Sequence, residues 1–244
     1  ICICPSDKAD FRMRMFNADA SEGMMCGNGS RCIAKFVYDK GLTQKNPITL
    51  ETLSGIKTIA MDVADGKVVS ATVDMGVPIT DPSSIPMTWE KSICLDETIT
   101  VTVDGAPLSL RGTGVSMGNP HFVTFVEDVA TAPVEKVGRV IEHSSYFPER
   151  VNVEFVEIVD DNHVKFRVWE RGSGETLACG TGACAVAYTA ITLGKAGRRD
   201  QFLTVEAVGG PLQLNYRSDG HMMMKGPAVT VYEGEMEIPD NILK

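Results

Sequence analysis

FNADASEGMMCGNGSRCIAKFVYDKG, residues 16–41, and WERGSGETLACGTGACAVAYTAITLG, residues 169–194, are one piece of chain written twice. Cys26 falls on Cys179, an offset of 153 (179 − 26). The same offset carries Glu22 onto Glu175, Gly27 onto Gly180, Gly29 onto Gly182 and Gly41 onto Gly194. Further on, TLETLSG at 49–55 resembles TVEAVGG at 204–210 after a shift of one or two residues, and VDMGVP at 73–78 resembles MMKGPA at 223–228. One C-G-x-G pair is within reach of chance in a chain with 23 glycines and seven cysteines. The ordered series marks an internal repeat.

Each copy has the same local physics. An apolar stretch runs into C-G-[NT]-G, and a segment with apolar residues at helical spacing follows: Ile33, Phe36 and Val37 in one copy, Ala183, Val186, Ala187, Ala190 and Ile191 in the other. Asn28 and Thr181 are good N-cap residues, so helices are expected from about Gly29 and Gly182, ending at Gly41 and Gly194. ITLETL, the run from Lys57 to Met75, FLTVEAV and PLQLNY then read as strands. Between the copies, PITDPSSIPM at 78–87 reads as a linker. TITVTVDG, HFVTFVED, NVEFVEIV and HVKFRVWE read as further strands, with one helix around 133–143. The expectation is two α+β domains of like design related by a pseudo-twofold. One comprises residues 1–77 plus 228–244, with the tail AVTVYEGEMEI returning as an extra strand, and the other residues 78–227.

The remaining bounds are simple. Hydrophobic residues make up 43% and charged residues 23% of the 244, ordinary for a globular core. A net charge of −9 argues against nucleic acid or an anionic membrane surface as partner. No window reaches the ~18 apolar residues of a membrane span. Seven cysteines, an odd number, fit a reduced cytoplasmic protein better than a disulfide scaffold. Cys32 and Cys184 are expected in the core. The spacings C-x5-C and C-x4-C lack a C-x2-C knuckle or a His pair, so no metal site is expected. Neither GNG nor GSG completes a nucleotide-binding glycine pattern. His143, His163 and His221 read as structural.

A cysteine placed just before a helix sits where the N-terminal dipole, about +0.5 charge, favours a thiolate. The free N–H groups of the first turn, at Gly27, Asn28, Gly180 and Thr181, make a carboxylate site, and the small glycines let a ligand approach. Two such helices converging would grip one carboxylate and set a sulfur on each face of the neighbouring carbon. That suits inversion of an α-carbon by a thiolate and a thiol.

NADASEGMMCGNGSRC, SMGNPH, PERVN and ERGSGETLACGTGACA resemble the diaminopimelate epimerase family over nearly the whole chain. The resemblance implies a sheet wrapped on a central helix in each domain. It also implies interconversion of LL- and meso-2,6-diaminopimelate in lysine and peptidoglycan precursor synthesis, without pyridoxal or any other cofactor. It makes Cys26 and Cys179 the catalytic pair, the first donating and the second accepting by the family's convention, with the roles exchanging with direction. Gly27, Asn28, Gly180 and Thr181 would hold the reacting carboxylate; Asn17, Asn119, Asn152, Glu170 and Arg171 would hold the rest of the substrate. His121 and Glu170 would tune the cysteines. A small-molecule substrate and a cytoplasmic location are implied, and a homodimer is allowed. The family's opening MHGxGNDF-type motif and a later GxDQ-type motif are not found, so the first domain is expected to lack its first strands.

Two other readings remain open on the residues alone. A proline racemase or hydroxyproline epimerase shares the two cysteines, but those enzymes carry CGHG where this chain has CGNG. A non-catalytic redox dithiol protein would also use two facing thiols.

Overall fold

The computed structural model describes residues 1–16, 20, 22–235 and 237. The first copy of the repeat forms β1 (Cys2–Cys4), β2 (Phe11–Phe16), β3 (Glu22–Gly23), α1 (Gly27–Asp39), β4 (Ile48–Thr52), β5 (Gly55–Ala64) and β6 (Lys67–Asp74). A middle segment forms β7 (Glu97–Val103), β8 (Ala106–Ser116), β9 (Pro120–Phe125) and α2 (Val134–Glu142). The second copy forms β10 (Asn152–Asp160), β11 (His163–Glu170), β12 (Gly174–Thr176), α3 (Gly180–Thr192), β13 (Phe202–Ala207), β14 (Gly210–Tyr216) and β15 (Met222–Pro227). The α+β class and the duplication are therefore as the sequence reads.

The strands run β1-β2-β4-β5-β6-β15-β14-β13-β11-β10-β9-β8-β7. The order is symmetric about the β6–β15 contact out to β1 on one side and β10 on the other, and the two equivalent strands pair antiparallel there with Val73 opposite Met224. On either side a parallel pair recurs, β2 with β4 and β11 with β13, and a third, β9 with β10, has no counterpart in the first copy. Even single contacts repeat at the offset of 153: Phe16 pairs with Glu22 and Trp169 with Glu175, and the Arg14–Glu22 ion pair has its copy in Arg167–Glu175.

Both repeat helices stop as expected. Gly41 and Gly194 take left-handed φ of +72° and +65°, and the 6→1 hydrogen bonds Leu42 N–H to Val37 C=O and Lys195 N–H to Ala190 C=O close a Schellman motif in each. The helices differ in burial. α3 is apolar all round and buried from Gly182 to Ile191, whereas α1 buries Ile33, Ala34 and Val37 and exposes Cys32 and Phe36. Cys184 is thus core, but the same expectation fails for Cys32, which points outward on the helix.

β10 divides two cores. Its even residues face α3, with Val156 in the large core that contains both repeat helices; Val153 and Phe155 face a second core with Ile85, Phe122, Val137, Ile141 and Phe147 around α2. The stretch 78–87 is not an exposed linker. Ile79 bridges to Ser116, the Asp81 carboxylate accepts from the Ser83 and Ser84 hydroxyls, and Ile85 and Met87 are buried in the α2 core. Its Pro and Ser residues signal the turn correctly, but two apolar side chains anchor it. The tail from Ala228 to Glu235 carries no strand; it lies along α1, with Lys40 Nζ 2.6 Å from Glu233 Oε1.

Candidate active site

Each repeat helix starts at its cysteine. Cys26 is extended (φ −134°, ψ 111°), and its Sγ accepts the Gly29 N–H at 3.3 Å. Cys179 (φ −129°, ψ 116°) accepts the Gly182 N–H at 3.4 Å. The cysteine itself is the N-cap, so the expected capping by Asn28 and Thr181 is corrected; they are the second residues of their helices. The sulfur fills the acceptor role that a short oxygen side chain usually takes. This ties each Sγ to the positive end of a helix, beside the first-turn N–H groups of Gly27, Asn28, Gly180 and Thr181, which have no intrahelical partner.

The two helix starts come together. A Cβ placed on Gly180 would lie 3.5 Å from Asn28 Oδ1 and 3.4 Å from Met224 Sδ, and one on Gly27 would lie 2.4 Å from Met224 Cε. Met224 thus packs directly against Gly27, at the junction of the two helix starts. Arg31 is buried in the same junction. Its Nη1 donates to Asn28 Oδ1 at 3.1 Å and its Nε to Pro227 C=O at 3.4 Å, with no carboxylate partner among the described residues. A buried cation behind two helix N-termini adds to their preference for an anion.

Cys179 is buried, and burial pushes its thiol well up. The Glu170 and Glu154 carboxylates add to this, while the Thr181 hydroxyl and the Gly182 N–H pull the other way. This corrects the expectation of a value lowered by the helix dipole: at Cys179 desolvation and two acids outweigh it. Glu154, which the sequence reading missed, is itself fully buried. Its Oε1 lies 2.6 Å from His121 Nδ1, and its Oε2 has no hydrogen-bond partner. His121, equally buried, turns Nε2 to Asn119 Oδ1 at 3.1 Å.

Asn119, Arg171 and Thr181 line one cleft of about 300 Å³, with Glu22, Ser54 and Met117. A volume of that order suits a small molecule. Glu170 is held by the Thr176 hydroxyl. Asn152 is buried and bridges backbone: its Nδ2 donates to Pro120 C=O at 3.0 Å and its Oδ1 accepts the Arg171 N–H at 2.8 Å. It locks the SMGNPH loop to the ERGSG turn. Glu142 of α2 secures that turn from below, accepting from Gly172 N–H at 2.9 Å and Trp169 Nε1 at 2.7 Å. Asn17 lies outside the described residues. A larger groove of about 1020 Å³ between α1 and the tail contains none of these groups. Among the described residues no cluster of His, Cys, Asp and Glu could hold a metal, and all seven cysteines are free. No helix is long and apolar enough to cross a membrane.

The α+β fold is shared with solved structures named as a racemase and an epimerase. A probable proline racemase from Agrobacterium radiobacter K84 superposes with a TM-score of 0.73 at 15% identity, covering 97% of this chain and 75% of that one. A hydroxyproline epimerase from Agrobacterium vitis gives 0.68 at 16%, covering 92% and 70%. At such identity these establish the fold alone. The chain belongs to the diaminopimelate epimerase family, whose model matches residues 1–80 and 113–231. It is 52% identical over 239 residues to the diaminopimelate epimerase of Methanococcus maripaludis strain C5, covering 98% of this chain and 84% of the relative. With the diaminopimelate epimerase of Bacillus licheniformis it shares 50% over 238 residues, covering 98% and 82%.

Proposed function

We propose that this chain interconverts LL- and meso-2,6-diaminopimelate in lysine and peptidoglycan precursor synthesis, with Cys26 and Cys179 as the two bases. The observation that carries the reading is the pair of repeat-equivalent cysteines, each with its sulfur on the N-terminus of a helix and the two helix starts in contact. The substrate's α-carboxylate would take the N–H groups of Gly27, Asn28, Gly180 and Thr181, where the charge developing on deprotonation meets fixed donors. One cysteine, as thiolate, takes the α-proton; the thiol of the other delivers a proton to the opposite face, and the carbon changes configuration with no net change in protons. By the family resemblance Cys26 is the donor in one direction of the reaction and Cys179 the acceptor. The roles reverse in the other.

Arg171 fits the distal carboxylate, Glu170 the distal ammonium, and Asn119 either group. Asn152 acts by holding Arg171 and the 119–121 loop together, and Asn17 keeps the substrate-binding role that the family resemblance gives it. The halves, 1–77 with 228–244 and 78–227, would close on the substrate as two domains and exclude water. Free cysteines fit a reducing cytoplasm; assembly as a homodimer is part of the same reading.

Pure LL-diaminopimelate incubated with the protein without pyridoxal or metal is expected to give the meso isomer, followed by chiral chromatography. Inversion of proline with none of diaminopimelate would overturn the assignment.

A further inference from the structure

The repeat makes a comparison possible inside the site. Glu154 on β10 and Ile1, next to β1, occupy equivalent positions at the offset of 153. They also occupy equivalent space. A Cβ on Gly182 would lie 2.8 Å from Glu154 Oε1 and 3.3 Å from Cys179 Sγ, and a Cβ on Gly29 would lie 2.6 Å from Ile1 Cδ1 and 3.4 Å from Cys26 Sγ. Each residue presses on the first turn of its helix, beside the cysteine. One is a hydrocarbon and the other a fully buried acid.

We propose that Glu154 is a positioning residue that makes the two half-sites unequal: its carboxyl stands against the α3 start at Cys179 and, through His121, fixes Asn119 in the cleft. The inference rests on the reading of Cys179 as a catalytic thiol. A buried carboxyl with one oxygen unpartnered is costly, so a fold that keeps it at a place where its own repeat uses isoleucine has a use for it. The hydrogen-bond chain supplies that use. Nδ1 of His121 is engaged by Glu154 Oε1, so Nε2 is left to donate to Asn119 Oδ1, and the amide N–H2 of Asn119 then points away from the histidine. Without Glu154 the imidazole loses its anchor and Asn119 its fixed orientation.

The charged and titratable groups around Glu154 are few. His121 approaches from β9, Glu170 from β11 and Cys179 from α3. Burial pushes the Glu154 carboxyl up and His121 opposes that, while Glu170 reinforces it.

The test uses two variants, Glu154→Gln, which keeps size and one hydrogen bond to the imidazole, and Glu154→Ile, which copies the other half-site. Iodoacetamide labelling across pH, read separately for the peptides of each cysteine, needs no substrate. Glu154→Gln is expected to move the Cys179 labelling midpoint down by about one pH unit and to leave the Cys26 profile unchanged. With diaminopimelate, kcat is expected to fall about ten- to a hundredfold with KM within about twofold. Glu154→Ile, if it folds, gives the larger change in both; if it does not, the glutamine variant decides. Equal movement of both cysteine profiles, no movement of either, or wild-type kcat in Glu154→Gln overturns the proposal. If the wild type epimerises no diaminopimelate, the functional reading falls while the labelling result still decides the role of Glu154.

Discussion

The first turn of α1 and the first turn of α3 share a backbone plan and differ in chemistry. Both begin on an extended cysteine whose sulfur takes the third helical N–H, and both follow a strand pair braced by an arginine–glutamate bridge at the same offset. Around that common frame the side chains diverge. Cys179 is 7% exposed and faces two carboxylates; Cys26 is half-buried and has an isoleucine at the equivalent place. Position 31 of the first copy is a buried arginine, and its equivalent, Cys184, is an uncharged core residue. Duplication preserves the geometry of hydrogen bonds and turns, because these depend on backbone. Acidity is set by side-chain charge and burial, which each copy has settled for itself.

The comparison breaks most completely if one cysteine suffices. Replacing Cys26 or Cys179 singly by alanine is expected to lower kcat for epimerisation at least about a thousandfold, since each face of the carbon loses its only proton carrier. Steady-state assay of the two variants checks this, and near-normal turnover in either excludes the two-base reading.

The glycines at the third helical position separate the halves next. In Gly182→Ala the new methyl meets Glu154 Oε1 at 2.8 Å and the Cys179 side chain at 3.2 Å, both in a packed interior. In Gly29→Ala it meets the end of the flexible Ile1 side chain, which can turn aside. Activity is expected to drop about a hundredfold in the first and only a few-fold in the second. Similar losses in the two would mean that the asymmetry around the cysteines is irrelevant to catalysis.

Thiol burial gives a pH signature. Burial holds Cys94 up at about 11 and raises Cys179 and Cys184 as well. An acid whose folded value is raised favours folding while protonated. Its contribution is complete below the unfolded thiol value near ~8.5 and declines above it, by up to about 1.4 kcal/mol per pH unit for each thiol. Unfolding by urea at pH 7 and pH 10 should show that loss, and Cys184→Ala should lose less between the two pH values than wild type.

The smallest effect concerns the braces. Arg14, 43% exposed, is expected to contribute little to stability through Glu22. Arg167 also donates to the carbonyls of Val129, Ala130 and Ala132, so Arg167→Ala should destabilise more than Arg14→Ala in thermal melts.

Much of this was legible in the sequence, for physical reasons that can be named. The repeat was readable because cysteines and glycines at helix starts and stops are fixed by backbone requirements that side-chain drift does not erase. The strands with clear alternation were readable too, whereas β2 and β8 were not singled out: FRMRMF interleaves arginines, and β8 needs Gly112 and Gly114 to admit Phe122 and Met87. Glu154 was illegible because a glutamate in an alternating strand normally faces water. Only the sheet order reveals that β10 is covered on both sides, by α3 and α2. The capping role of the cysteines was hidden because Asn28 and Thr181, two residues further on, are better caps by chemistry.

The most direct test of the central claim is where solvent deuterium goes. At low conversion of LL-diaminopimelate in deuterated water, two unequal bases predict a meso product carrying deuterium at the inverted carbon and a recovered LL pool still protonated there. Deuterium entering recovered substrate as fast as product would mean that one base serves both faces, and the two-cysteine account would be wrong.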